Sequence, residues 1–131
     1  MERVEEEVTY LDTHVVAWLY AGEVEKLSAA ATEEIQKDSP LVSPMVLLEL
    51  QYLFEIGRAA RPASAVIEAL KRSAGLSVCE LSFAKVVESA LHQKWGRDPF
   101  DRLIVAHASA NDAVLITKDE KIRRHYKRAV W

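Results

Sequence analysis

The sequence predicts an α/β fold in which a central parallel sheet is flanked on both faces by helices, giving a three-layer sandwich. Two observations carry the prediction. Short β-rich runs alternate with longer helical patterns along the whole chain, and this alternation is the signature of parallel strands joined by helical crossovers. No internal repeat, low-complexity tract or linker interrupts it, so residues 1–131 read as one domain. A chain of this length with 50% hydrophobic residues can bury roughly two-thirds of its unfolded surface, enough for a core without covalent staples.

The elements follow in order. Val8-Thr9-Tyr10-Leu11 is a β-rich run ending at Asp12, and an apolar helical pattern follows from Val15 to Tyr20, closed by Gly22. Ser28 is placed to cap a helix reaching Lys37. Leu41-Val42-Ser43 forms a small strand, and Pro44 suits the first turn of a helix over Met45 to Ile56 that stops at Gly57. Ala63 to Ser73 is amphipathic and ends at Gly75; Leu76 to Leu81 alternates as a strand, and Phe83 to Gln93 is helical. After the loop Trp95-Gly96-Arg97 come a helix over Pro99 to Ala110, a strand over Ala113 to Thr117, a basic helix and a last strand, Ala129-Val130-Trp131.

Composition narrows the function. A single cysteine, Cys79, excludes an internal disulfide and a Cys-rich zinc site. The first seven residues are acidic where a signal peptide would be basic and then apolar, and the most apolar run, Met45 to Phe54, is broken by Glu49 and Gln51. Both observations predict a cytoplasmic protein with no membrane partner. Net charge is −3, but acid gathers at Glu2, Glu5, Glu6 and Glu7 and base at Lys118, Lys121, Arg123, Arg124, Lys127 and Arg128. Such a local basic patch can hold a phosphate backbone, or can simply be a solvated face.

Four acids stand out, each with a structural role as its alternative. Ligands of parallel sheets gather at the carboxyl ends of the strands, where Asp12 and Asp119 follow the first and fourth strands; each could equally cap the next helix. At about 100° per residue, Glu49 falls between Met45, Leu53 and Ile56, with Gln51 and Glu55 facing the opposite, solvent side. A carboxylate on an apolar face is costly unless a cation or donors neutralise it. In Asp98-Pro99-Phe100-Asp101 the first acid fits an N-cap and the second an acidic capping box, yet Asp101 heads a nearly all-apolar helix. Oxygen-only ligands suit hard cations, so a cluster of these acids points to Mg²⁺ or Mn²⁺ and to water activated for phosphodiester hydrolysis. No Gly-rich phosphate loop is present to suggest a kinase or NTPase.

The chain resembles PIN-domain ribonucleases, in particular VapC-type toxins of toxin–antitoxin pairs. The resemblance rests on Tyr10 to Leu19, on Val42-Ser43-Pro44 leading to Leu48-Glu49-Leu50, on Arg97 to Ala108, on Leu115 to Asp119 and on the terminal Trp131. It implies a PIN-like fold and an endoribonuclease with Asp12, Glu49, Asp101 and Asp119 as catalytic, metal-holding acids. It implies that Thr13 and Thr117 orient Asp12 and Asp119, with Asp98 as cap or support. His14 matches the motif, with packing or capping as its other reading, and His107 reads as structural. Arg97 and Arg102 flank the site and could meet RNA phosphates, or be solvated. The resemblance further implies a homodimer and an inhibitory antitoxin, with Met45 to Phe54 and Ala63 to Leu70 as contact surfaces or plain core. The alternatives are a non-toxin PIN nuclease and a non-catalytic interaction module of the same fold. A haloacid-dehalogenase-type phosphatase would need an Asp at the position of His14, and a receiver domain an accepting Asp that Glu49 does not supply.

Overall fold

The computed structural model describes residues 8–37 and 39–131; the acidic group Glu2, Glu5, Glu6 and Glu7 lies outside them. Strand β1 (Thr9–Leu11) runs into helix α1 (Thr13–Ala21), and a 3₁₀ turn (Val24–Lys26) leads to α2 (Ala29–Lys37). Then come β2 (Leu41–Val42), α3 (Pro44–Glu55), α4 (Ala63–Ala74), β3 (Ser77–Val78), α5 (Phe83–Ala90), α6 (Pro99–Ala110), β4 (Val114–Ile116), α7 (Glu120–His125) and β5 (Ala129–Val130). All four strand pairings are parallel, in the order β3-β2-β1-β4-β5.

That order fixes where function can sit. The chain moves outward from β1 to β3, then returns past β1 to β4 and β5, so the direction of travel reverses between β1 and β4. Right-handed crossovers taken in opposite directions lay their helices on opposite faces of the sheet. α1, α3 and α4 pack on one another and α5 packs along α6, with α3 also meeting α6. In sheets of this kind the reversal is where a ligand crevice forms, beyond the carboxyl ends of the central strands.

The core is the apolar filling of this sandwich. Tyr10, Leu11, Leu115 and Ile116 of the central strands are fully buried with Val15, Val16, Val42 and Val46. A smaller cluster of Val86, Ala90 and Ala106 joins α5 to α6. The helix ends obey local rules: Ser28 Oγ accepts from the Ala31 N–H at 3.0 Å, and Gly22, at φ +73°, closes α1 in the left-handed conformation that glycine adopts without strain. No helix among the described residues is long and apolar enough to cross a membrane.

Several boundaries differ from the sequence reading. β3 is two residues long rather than spanning Leu76 to Leu81, because its neighbour β2 offers only Leu41 and Val42 to pair with. α5 stops at Ala90, not Gln93, in a turn in which His92 N–H bonds the Ser89 carbonyl. Gln51 is half-buried rather than solvent-facing; its Oε1 accepts from the Ala63 N–H at 3.2 Å, capping a helix whose preceding Pro62 has no side-chain donor or acceptor to offer. The apolar face of α4 (Ala63, Val66, Ile67, Leu70) is buried as core against α1 and α3. By contrast Leu48, Tyr52, Phe54 and Ile56 of α3 and its end are exposed.

Candidate active site

The carboxyl edge of the sheet positions the first acid. Asp12 N–H bonds the Ile116 carbonyl at 3.0 Å, extending the β1–β4 ladder by one residue and pinning Asp12 beside Thr117. The Asp12 carboxylate is 5% exposed. One oxygen accepts from the Thr13 N–H at 2.8 Å, and the other from the Thr117 hydroxyl at 2.6 Å. The same Thr117 Oγ1 accepts from the Asp119 N–H at 3.1 Å, so one fully buried hydroxyl ties the two acids of neighbouring strands together. Asp119 caps α7 through Oδ1 and the Ile122 N–H at 2.9 Å.

Helices bring the remaining acids. Asp98 Oδ1 accepts from the Phe100 and Asp101 N–H groups at 2.8 and 3.2 Å, which fixes the start of α6 and frees the Asp101 carboxyl from any capping duty. Glu49 comes from the middle of α3, half-buried. Asp12, Glu49, Asp98, Asp101 and Asp119 line one open cleft of about 480 Å³, together with His14, Trp18 and Lys118.

The cleft is electrostatically strained. Burial raises the Asp12 carboxyl above the ordinary carboxylate range, opposed by the Thr117 hydroxyl and the Thr13 N–H. Burial also raises Glu49, with the Asp12 and Asp98 charges adding to it. Asp101 is pushed up to about 7, first by burial and then by the charges of Asp12, Asp98, Asp119 and Glu49. The Thr13 hydroxyl is buried without a hydrogen bond of ordinary geometry, yet lies near enough to Glu49 to favour its ionised form.

A pH dependence follows. An acid raised in the folded state holds its proton more tightly there, so its contribution to stability is present below the unfolded value of 3.8 and is lost as pH rises through about 7. His107, lowered by burial, acts in the opposite sense below its usual 6.5. The melting temperature of the metal-free chain is therefore expected to fall as pH rises through the window ending near 7, and Asp101→Asn to flatten that fall. An unchanged slope in the variant would show that Asp101 is not the strained group.

Other residues singled out from the sequence fare differently. Thr117 serves the Asp12 carboxylate with its hydroxyl and Asp119 only through the backbone N–H, and Thr13 serves Asp12 through its backbone N–H. The first has its cause in the Leu11–Ile116 register, which sets Thr117 directly beside Asp12; the second is local, Asp12 being the N-cap of α1. Arg102 does not line the cleft, because its Nε donates to the Ala90 carbonyl at 2.9 Å and ties α6 to the end of α5. Arg97 is exposed outside the cleft lining. His107 Nδ1 lies 2.8 Å from Ser43 Oγ and 3.2 Å from the Leu103 carbonyl, a buried link between α6 and the start of α3.

Sequence reasoning missed the aromatic wall. Trp18 packs 6.1 Å from His14 and 5.9 Å from Trp131, centroid to centroid, and carries Lys118 Nζ 5.9 Å above its ring. The four-residue spacing of His14 and Trp18 was the available signal, since such residues share a helix face.

Chemically, the donor set is all oxygen and suits a hard divalent cation. Among the described residues no three His, Cys, Asp or Glu side chains converge closely enough to enclose a metal ion. An open arrangement of this kind is compatible with Mg²⁺, which keeps several waters and is usually held by one or two carboxylates plus substrate phosphate.

The chain as a whole is similar to known proteins. A family model described as the PIN domain matches residues 9–128. Ribonuclease VapC22 of Mycobacterium tuberculosis (strain ATCC 25618 / H37Rv) is 33% identical over 121 residues, covering 88% of this chain and 89% of that protein. Two solved structures share the fold. VapBC2 from Rickettsia felis, bound to a DNA fragment from its promoter, gives a TM-score of 0.62 at 22% identity over 94% of this chain and 96% of that one. A toxin–antitoxin complex from Klebsiella pneumoniae gives 0.66 at 17% identity over 94% and 96%.

Proposed function

The chain belongs to the PIN-domain family, in its VapC-type branch, and from that premise we propose that it is a divalent-metal endoribonuclease, the toxin of a toxin–antitoxin pair. The observation that carries the reading is that Asp12, Glu49, Asp101 and Asp119 line one cleft at the reversal of strand order, where burial first and then the neighbouring carboxylates hold Asp101 up to about 7. A core residue or simple cap would not be placed at such a cost; a cation-binding acid is relieved of it when the cation arrives.

One or two of these acids would hold Mg²⁺ or Mn²⁺ directly and the others through its waters; when bound, the ion lowers the pKa of a water and offsets charge on the phosphate. Thr117 and the Thr13 N–H fix the Asp12 carboxylate, so its direction is set before substrate arrives. Asp98 contributes by starting α6 and thereby aiming Asp101. Lys118, on the cleft wall, is the cation available to an approaching phosphate. The exposed Leu48, Tyr52 and Ile56, at four-residue spacing along α3, offer an apolar stripe for an antitoxin or a second copy of the chain.

The test uses the purified chain with a short unstructured RNA. Cutting is expected with Mg²⁺, to stop with EDTA and to return with excess Mg²⁺ or Mn²⁺, leaving 5′-phosphate and 3′-hydroxyl ends by mass spectrometry. Undiminished cutting in EDTA, or products with 2′,3′-cyclic phosphate, would refute it. The toxin part is checked by expression: growth should slow with the chain alone and recover with its antitoxin.

A further inference from the structure

We propose that the cavity behind Trp18 is a subsite for one unpaired nucleobase of the RNA, adjoining the phosphodiester that lies over the carboxylates. The inference rests on the ribonuclease reading above. The cavity, about 360 Å³, is lined by Trp18, Tyr20, Leu50 and Val66, with Arg58, Arg61 and Glu23, the last paired with Lys26, also on its wall. Trp18 also lines the carboxylate cleft, so the two hollows adjoin across its ring.

Three features favour a base. The volume lies in the roughly 300–1,000 Å³ range of sites for small organic groups. The walls are apolar and include two aromatic rings, which suit the flat face of any base and accept it without reading its edges. Charge completes the argument. Arg58 and Arg61, in the connection between α3 and α4, are exposed and make no ion pair among the described residues. Lys118 rests on Trp18 from the cleft side. Lys118 in the cleft and the two guanidinium groups on the cavity wall thus put a cation on each side of Trp18, the positive charge that flanking phosphates require. An apolar protein side chain would fill the same hollow but would leave this cationic pair without a partner.

The subsite is tested by binding, with the Asp119→Asn chain in Mg²⁺ so that the RNA survives. A short unstructured oligoribonucleotide is scanned with single abasic positions by fluorescence anisotropy. One position next to the cut should weaken binding on the order of tenfold when its base is removed. Ala60→Leu, which fills the cavity from its exposed wall, should abolish that difference, so that intact and abasic RNA bind alike. A flat scan on the unfilled chain overturns the subsite, as does a penalty that Ala60→Leu leaves in place. If Ala60→Leu instead weakens only capture of the co-expressed antitoxin, the cavity is a protein pocket and the proposal falls. Wild-type chain that cuts RNA normally alongside a flat scan separates this failure from failure of the nuclease reading, in which neither binding nor cutting is seen.

Discussion

Glu49→Gln is expected to lower Mg²⁺-dependent RNA cleavage by about a hundredfold or more while raising the melting temperature of the metal-free chain. Groups that merely support a metal ligand typically cost about 10–100-fold when removed, so a ligand should cost at least as much. The opposite sign for stability comes from the electrostatics. Glu49 is held above its ordinary range by burial and by the Asp12 and Asp98 charges, and an amide removes both penalties at nearly constant volume. Mg²⁺ should then stabilise the variant less than the parent, because a ligand that binds only the folded state raises stability in proportion to its affinity. Three measurements, on cleavage, metal-free melting and the Mg²⁺-induced shift, must move together. Undiminished cleavage would make Glu49 a solvated rim residue; lost cleavage with a lower melting temperature would make it a packing residue.

Much of this arrangement is legible in the chain itself. The alternation of strand and helix runs yields the parallel sheet, and the positions of Asp12 and Asp119 just past their strands put both at the same edge. Asp98-Pro99 reads as a helix start, as its two N–H contacts bear out. What the sequence leaves hidden depends on long-range register. The pairing of Leu11 with Ile116 decides that the Thr117 hydroxyl reaches the carboxylate of Asp12, 105 positions away, while it meets its neighbour Asp119 only at the backbone N–H. Helical periodicity places Gln51 on the solvent side, but the arrival of α4 turns it into a cap. Arg102 looks free for phosphate until α5 ends beside it and claims its Nε. Trp18 reads as an apolar position of α1; only the fold shows that its ring divides the acidic cleft from an apolar hollow.

Thr117→Val should separate a supporting role from a packing role most sharply, because the substitution keeps the shape and removes only the hydroxyl. That hydroxyl donates to Asp12 and accepts from the Asp119 N–H, and all of it is buried. Its loss leaves a buried carboxylate short of a donor and a backbone N–H without its acceptor, a cost of about 1–3 kcal/mol in stability. The Asp12 carboxyl, already raised by burial, loses the largest influence holding it down, so it should need a higher pH to ionise. Cleavage is therefore expected to fall about 10–100-fold at neutral pH and to recover in part as pH rises, whereas a purely structural lesion would not recover with pH. Thr117→Ser restores the hydroxyl and should return most of the activity. Thr13→Val is the internal control: its hydroxyl makes no hydrogen bond of ordinary geometry, and Asp12 relies on the Thr13 backbone N–H, which valine retains. Stability should then change little at position 13, and any loss of cleavage there should appear in the ionisation of Glu49 rather than of Asp12. Equal effects at positions 13 and 117 would mean that the Thr117 hydroxyl is not what orients the site.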